Sequence, residues 1–377
     1  MLEKTTLVVI SYIIVFLSRQ SPLVMIDVEL NKTGVSMNET LYMSQETSAG
    51  SHSNTTAVLA DEHEQFYRVA KEVTGLYLFP IVCVTGIIGN LLTFVVFIKF
   101  KPRSSTNVYL TALAISDTIK LLCDFLYFIV VFLEKIERHD ASVKVFVTLY
   151  PVAHYILNFS LCNTAWLTVS VAIERYIYMK WPERARTICT ITRAKITCCV
   201  VWMAAMLITV PFALRYEQIA NNGTIDINVT HMWNNDKFKD AYVWFQNILR
   251  SIVPLIVLII INTWIIMALS RATKEYYQRP IACKNRVTVM LVAIIIAFLV
   301  CITPDAIMST VFGFGYTEAP YLIRGIREIS DLLLSVNSAV NFILYFSLNK
   351  VFRHNFARVF CKNYYWEHLA IKHEGIT

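Results

Sequence analysis

An all-α protein built as a seven-transmembrane helix bundle is the fold class that three observations predict. Hydrophobic residues make up 56% of the 377 and charged residues only 16%, a balance that soluble domains seldom show. Apolar runs long enough to cross a hydrocarbon core of about 30 Å, which takes about 20 helical residues, recur seven times from Leu76 onward. The runs are nearly continuous and lack the alternation of outer-membrane strands, which selects helices over a barrel.

The chain opens with Lys4 and an apolar run from Leu7 to Leu17, too short to span and the size of a signal-peptide core. Residues 1–20 are read as a signal peptide, although no small-X-small cleavage site follows. Residues 21–75 are read as an extracellular glycosylated tail, disordered from Ser18 to about Arg68 because Ser, Thr, Asn and Glu dominate there.

The spans of the bundle (76–348) are Leu76 to Ile98, Asn107 to Leu133, Val145 to Tyr178, Ala194 to Leu214, Ala241 to Leu269, Val287 to Phe314 and Gly325 to Leu348. Basic residues follow the first span (Lys99, Lys101, Arg103), the third (Lys180, Arg184, Arg186, Arg193, Lys195) and the fifth (Arg271, Lys274, Arg279, Lys284, Arg286). By the positive-inside rule that side is cytoplasmic, and the amino terminus and the charge-balanced opposite loops are extracellular. The net charge of +7 then reports topology, with no nucleic-acid partner implied.

Glycosylation sequons agree with this orientation, since Asn31, Asn38, Asn54, Asn222 and Asn228 all fall on the outer side. A sixth triplet at Asn158 lies inside the third span, out of reach of a glycosyltransferase. After the seventh span, Phe352, Phe356 and Phe360 recur four apart among Lys350, Arg353, Arg358 and Lys362. Residues 349–362 are therefore an amphipathic helix in contact with membrane lipid. Cys361 at its end is either a palmitoylation site or an unmodified thiol. The cytoplasmic tail, 363–377, is short and offers arrestin few phosphorylation sites. Every cysteine lies in a span or on the cytoplasmic side, so no outer disulfide and no metal-ligand spacing is expected.

The residues that carry chemistry begin with Glu174-Arg175-Tyr176 at the end of the third span. Charges at mid-membrane cost about 2.5–3.5 kcal/mol each, so this pair belongs at a boundary or serves a purpose. Taken together, Gly89-Asn90, Leu113-Ala114-Ile115-Ser116-Asp117, Glu174-Arg175-Tyr176, Trp202, Pro254, Phe298 with Cys301 and Pro304, and Asn341-Phe342-Ile343-Leu344-Tyr345 stand in order, one set per span. The chain thereby resembles the rhodopsin-like (class A) G-protein-coupled receptors over residues 76–361. Glu174 to Tyr176, Pro182, Ala185 to Thr190 and Arg193 to Lys195 are similar to the second cytoplasmic loop of FMRFamide, myosuppressin and thyrotropin-releasing-hormone receptors, and Asn337 to Tyr345 to the seventh helix of invertebrate members of that group, so a neuropeptide receptor that activates a heterotrimeric G protein is implied. Glu174 is expected to hold Arg175 in one arrangement of a two-state switch. Asn90, Asp117, Thr164, Asn337, Asn341 and Tyr345 correspond to a polar activation network that holds a sodium ion in similar receptors. Lys120 lies one turn from Asp117 and one from Asp124, so its ammonium is expected to stand in for that ion; no other cofactor is implied.

Departures from the family pattern are specific. Tyr150 stands where the third helix usually carries a disulfide cysteine, Ile302 replaces a tryptophan, Phe342 a proline and Asn262 a tyrosine, and Pro280 occupies the place of an acid that restrains the arginine. The activation relay is built differently or is weak, and a receptor that binds and signals poorly is a second reading. Ser335 in place of a Schiff-base lysine excludes an opsin and Leu157 in place of an amine-binding aspartate opposes an amine, which adds weight to a peptide ligand. Asp124, Tyr127, Leu157, Asn158, Gln246, Arg250, Asp305, Arg327 and Asp331 are the pocket candidates. Two arrangements are open: the acids face the cavity and receive a basic peptide residue, or Arg250 pairs with Asp305 and Lys120 with Asp124. No enzyme constellation is present in the sequence; a transporter or channel is the alternative of another class, and the lack of inverted repeats opposes it.

Overall fold

The computed structural model describes residues 49–99, 104–221, 224–275, 282–312 and 320–360. Two compact units divide the chain, Met1–Leu59 and Ala60–Thr377. Of the first, the described residues are helical; the second is the bundle.

The first span begins earlier than its apolar run. Helix α1 (Ala49–Glu72) passes through a π-helical stretch (Val73–Leu78) into α2 (Phe79–Lys99), so the disorder expected up to Arg68 is corrected for residues 49–68, while residues 18–48 lie outside the described residues. The residues from Ala57 to Glu72 include no glycine or proline and many strong helix formers. Arg68 pairs with Glu64 at 2.5 Å, and two crossed pairs, Lys71 with Glu134 (2.8 Å) and Lys135 with Glu72 (2.7 Å), tie this helix to the second span. Composition alone reads as disorder because these tethers come from residues more than sixty positions away.

The second span is α3 (Ser105–Lys135), capped by Ser104, whose hydroxyl accepts from the Asn107 amide at 3.3 Å. Glu137, at φ 58°, turns the chain into α4 (His139–Lys180), the third span. A short α5 (Pro182–Ile188) starts on proline, which suits a first helical position, and α6 (Ile191–Ala213), capped by Thr190, is the fourth span. An antiparallel hairpin follows, β1 (Tyr216–Asn221) paired with β2 (Thr224–Val229) from Tyr216↔Val229 to Asn221↔Thr224. Then come α7 (His231–Asn234) and the fifth span, made of α8 (Asp236–Asn247), a π-helical turn (Ile248–Ile252) and α9 (Val253–Glu275). The sixth span is α10 (Ala282–Phe312) and the seventh α11 (Tyr321–Leu348). Helix α12 (Lys350–Phe360) is capped by Asn349 and folds back, its Arg353 donating to the Ser347 carbonyl at 2.6 Å.

Among the described residues, five segments are long and apolar enough to cross a membrane: Asp61–Lys99, Asp140–Lys180, Ile191–Ala213, Asp236–Ala268 and Tyr321–Leu348. Helix α3 matches them in length but carries Asp117, Lys120 and Asp124 in its middle, and the apolar part of α10 is Ile296–Phe312. Helix α4 is the hub, packing against α3, α6 and α9, while α2 lies between α3 and α11 and α10 between α9 and α11. Outward positions of α6 are large and apolar, as Leu207 at 70% exposure illustrates, which fits lipid as the surrounding solvent.

Gly86 sets how closely α2 approaches its neighbours. A Cβ there would stand 2.6 Å from the Ala339 Cβ, 2.7 Å from a Leu121 methyl and 3.0 Å from the Ala339 Cα, so backbone as well as side chain would have to yield. Gly86→Val is expected to cost at least about 1–3 kcal/mol, the range for overpacking, read as a lowered thermal midpoint of the purified protein. An unchanged midpoint would show that α2 and α11 are not in fixed contact.

Candidate functional site: hydroxyl-bridged charges at two levels of the bundle

At the end of α4 the charged residues meet through an intermediary. Arg175 donates through Nη2 to the Thr106 hydroxyl, and that hydroxyl donates to Glu174 Oε2 at 2.7 Å. No direct Glu174–Arg175 ion pair forms among the described residues, so the expectation that Glu174 holds Arg175 is corrected: Thr106, from the first turn of α3, holds both. Glu174 Oε1 and Arg175 Nε find no partner, and the guanidinium lies 5.6 Å from the Tyr178 ring. Tyr176 faces elsewhere, packing on Trp264 at 5.3 Å and accepting from Lys180 at 2.8 Å.

One level deeper, Asp117 is fully buried and its two oxygens are served from two other spans. Thr164 donates to Oδ1 at 3.1 Å and Asn341 to Oδ2 at 2.8 Å. Asn90 joins α2 to α11 by donating to the Ser338 carbonyl at 2.9 Å. Asn337 is buried on the same helix, and Tyr345 is buried against Phe97 and Phe352 with its hydroxyl unpartnered.

Lys120 does not stand in for an ion at Asp117. It pairs with Asp124 at 2.5 Å and donates to Ser335 Oγ at 3.3 Å, while Ser335 donates to the same Asp124 oxygen at 2.7 Å. The reason is saturation: Asp117 already has donors from α4 and α11, and Asp124 has none without Lys120 and Ser335. This repeats the arrangement at Arg175, an acid and a base sharing one hydroxyl.

On the other side of the bundle Arg250 pairs with Asp305 at 2.5 Å and donates to Asn158 Oδ1 at 3.1 Å, joining the fifth, sixth and third spans. Arg250 sits in the π-helical turn, where the wider register disturbs the carbonyl ladder; the Trp166 indole donates to the Leu249 carbonyl there at 3.0 Å. The sequence left the acids open between a ligand and internal pairing, and Asp124 and Asp305 are paired internally in the structure. Gln246 is buried with neither amide atom bonded. Leu157 and Asp331 are part-buried and Arg327 is buried.

Residues 89–345 match the sequence pattern of the family described as 7 transmembrane receptor (rhodopsin family). The chain belongs to this family. It is similar to the FMRFamide receptor of Drosophila melanogaster, at 26% identity over 76% of this chain and 53% of that protein. Similar too are a probable G-protein coupled receptor of Caenorhabditis elegans (26%, covering 79% of this chain and 80% of the relative) and the somatostatin receptor type 4 of Rattus norvegicus (23%, covering 80% and 77%). The chain spans about half the length of the fly protein. Membership makes this receptor a multi-pass membrane protein.

In this receptor the hairpin is attached to the third span without a disulfide. Tyr150, in the usual cysteine position, packs on Tyr216 of β1 at 5.4 Å, His154 reaches the same ring at 5.6 Å, and Gln218 donates to the Val147 carbonyl at 3.1 Å. The Arg215 guanidinium bridges the Tyr216 and Trp233 rings at 5.2 and 4.9 Å. Of the substituted relay positions, Ile302 is packed as core with Phe298, Leu258 and Leu334, and Phe342 is part-buried and stacks on Phe346 at 5.8 Å. Asn262 is buried with both amide atoms unpartnered. Asn228 is exposed on β2, and Asn54 lies in α1. The signal peptide, Asn31, Asn38, Asn222, Pro280 and Cys361 lie outside the described residues.

Sequence reading missed three residues of the site. Thr106 and Ser335 are small hydroxyls with no local mark. Glu328 had one: it is a carboxylate one turn before Asp331 in the same apolar run. It is 2% exposed and receives the Tyr127 hydroxyl at 2.9 and 2.8 Å from its two oxygens.

Proposed function

We propose that the chain is a plasma-membrane receptor for an extracellular peptide and that it activates a heterotrimeric G protein at the Arg175 end of the bundle. The observation that carries this is the state of Arg175, held by a single hydroxyl instead of a direct ion pair. An arginine so held can exchange Thr106 for a protein partner without separating opposite charges, which a switch between two arrangements requires. Ligand binding would prefer the conformation in which the spans part at that end, shifting an existing equilibrium. The relatives support the ligand class, since the fly and rat proteins are named for peptides.

In this reading the amino terminus and the hairpin face outward after signal cleavage, with Asn31, Asn38, Asn54, Asn222 and Asn228 as glycan acceptors. Helix α12 lies in the lipid interface, Cys361 is available for acylation, and arrestin competes for the cleft beside Arg175. No catalytic step, nucleic acid or cofactor enters it. Asp117 and Thr164 offer oxygens that suit a hard cation, but no step passes through a sodium ion. A conduction path is not favoured, because the buried cations Lys120 and Arg250 are each paired with an acid.

The test is a panel of amidated neuropeptides on cells expressing the full chain, with calcium and cyclic-nucleotide readouts. At least one peptide is expected to evoke a saturable response. Responses confined to amines or lipids would overturn the peptide assignment.

A further inference from the structure

We infer that Glu328, oriented by Tyr127, is the anchor for a cationic side chain of the ligand; this rests on the peptide-receptor reading above. The inference starts from which buried acids are already neutralised. Asp124 has Lys120 and Asp305 has Arg250, each at 2.5 Å. Glu328 is more deeply buried than either, at 2% exposure against 7% for Asp124 and a part-buried Asp305, and among the described residues no lysine, arginine or histidine makes an ion pair with it. The two cations that act on it through space are engaged elsewhere. Lys71 binds Glu134 at 2.8 Å, and Arg324 donates to the Tyr67 hydroxyl at 2.9 Å while lying 4.3 Å from that ring's centroid.

A carboxylate buried without a counter-charge carries a desolvation cost that hydrogen bonding relieves in part. Tyr127 reaches both oxygens but has one proton to give, and an ionised carboxylate has about four acceptor sites. The Tyr127 ring is itself braced edge-on by Phe79 at 5.5 Å, so the carboxylate is held in a fixed orientation with acceptor capacity to spare. A guanidinium, planar and with paired donors, is the cation best matched to that geometry. Glu328 lies two turns into α11, at the end of the bundle opposite Arg175, and Tyr321, two turns earlier on the same face, is 41% exposed, which puts the carboxylate near the rim of the bundle.

The probe is Phe-Met-Arg-Phe-amide with its citrulline analogue, a neutral near-isostere of arginine; if another arginine-containing peptide of the panel is the agonist, it and its citrulline form are used. The wild-type receptor is expected to favour the arginine form by at least about tenfold, equivalent to about 1.4 kcal/mol. Glu328→Gln should bring the arginine form down to the citrulline form and leave the latter's potency unchanged. Glu328→Asp should keep the preference and Tyr127→Phe should reduce it, which serves if the glutamine variant fails to reach the surface. Equal potency of the two forms on the wild type, or an equal loss of both in the variants, overturns the inference while the peptide reading stands. Silence towards every peptide removes that reading and the inference with it.

Discussion

Asp305→Asn is expected to destabilise the receptor by about 3–5 kcal/mol, the cost of leaving one member of a buried ion pair uncompensated. Arg250 is 5% exposed and its pairing with Asp305 joins three spans through Asn158. The guanidinium would lose its carboxylate in a low-dielectric layer where an amide oxygen is a poor substitute. Thermal inactivation of the purified protein measures the loss. The double variant Arg250→Met with Asp305→Leu removes both charges and should recover most of the stability, because a well-packed apolar pair of similar volume often does as well as a buried ion pair. A stable Asp305→Asn protein with weakened binding of a basic peptide would instead make Asp305 a ligand acid.

Arg175→Ala is expected to abolish agonist-driven nucleotide exchange while leaving peptide binding intact. The guanidinium contacts the Thr106 hydroxyl and the Tyr178 ring at one end of the bundle, and the pocket charges lie at other levels, in Lys120–Asp124–Ser335 and Arg250–Asp305–Asn158. A hydrogen bond to a charged group contributes about 1.5–3 kcal/mol, so loss of one or two such bonds to a G protein lowers coupling by about ten- to ten-thousandfold. Radiolabelled nucleotide exchange on membranes with matched receptor levels reads the difference. Exchange at the wild-type rate would remove Arg175 from the switch.

The bundle was legible in the sequence where the signal is continuous; the Arg250–Asp305 and Lys120–Asp124 pairs stood there as one of two open arrangements, and the hydroxyls beside the charges were not legible. Seven apolar runs and one landmark in each placed the helices to within a few residues, because burial in lipid demands about 20 apolar positions whatever the neighbours are. The start of the first span escaped because α1 is polar and is tied down by Glu134 and Lys135 on α3. The π-helical turns at Val73–Leu78 and Ile248–Ile252 change hydrogen-bond register without a change of residue type. The choice of Lys120 was local in appearance and long-range in fact. Helical side chains lean towards the amino end, which favours Asp117, yet Thr164 and Asn341 had filled that carboxylate and Ser335 drew the ammonium to Asp124. Thr106 and Ser335 meet the charged groups through partners on other helices, α4 in one case and α3 in the other, so nothing beside them in sequence marks that role. Glu328 carried a signal in its position within an apolar run, one turn from the acid that was noticed.

The most direct measurement of the central claim is the affinity of an agonist peptide for the receptor reconstituted with a heterotrimeric G protein, with and without a non-hydrolysable guanine nucleotide. Coupling between two binding sites is reciprocal, so a receptor whose Arg175 end engages the G protein must bind its peptide less tightly once nucleotide releases that partner. The expected result is a nucleotide-dependent loss of affinity in the wild type and none in Arg175→Ala. Affinity indifferent to nucleotide in the wild type, together with a peptide-gated current in liposomes containing the receptor alone, would contradict the account.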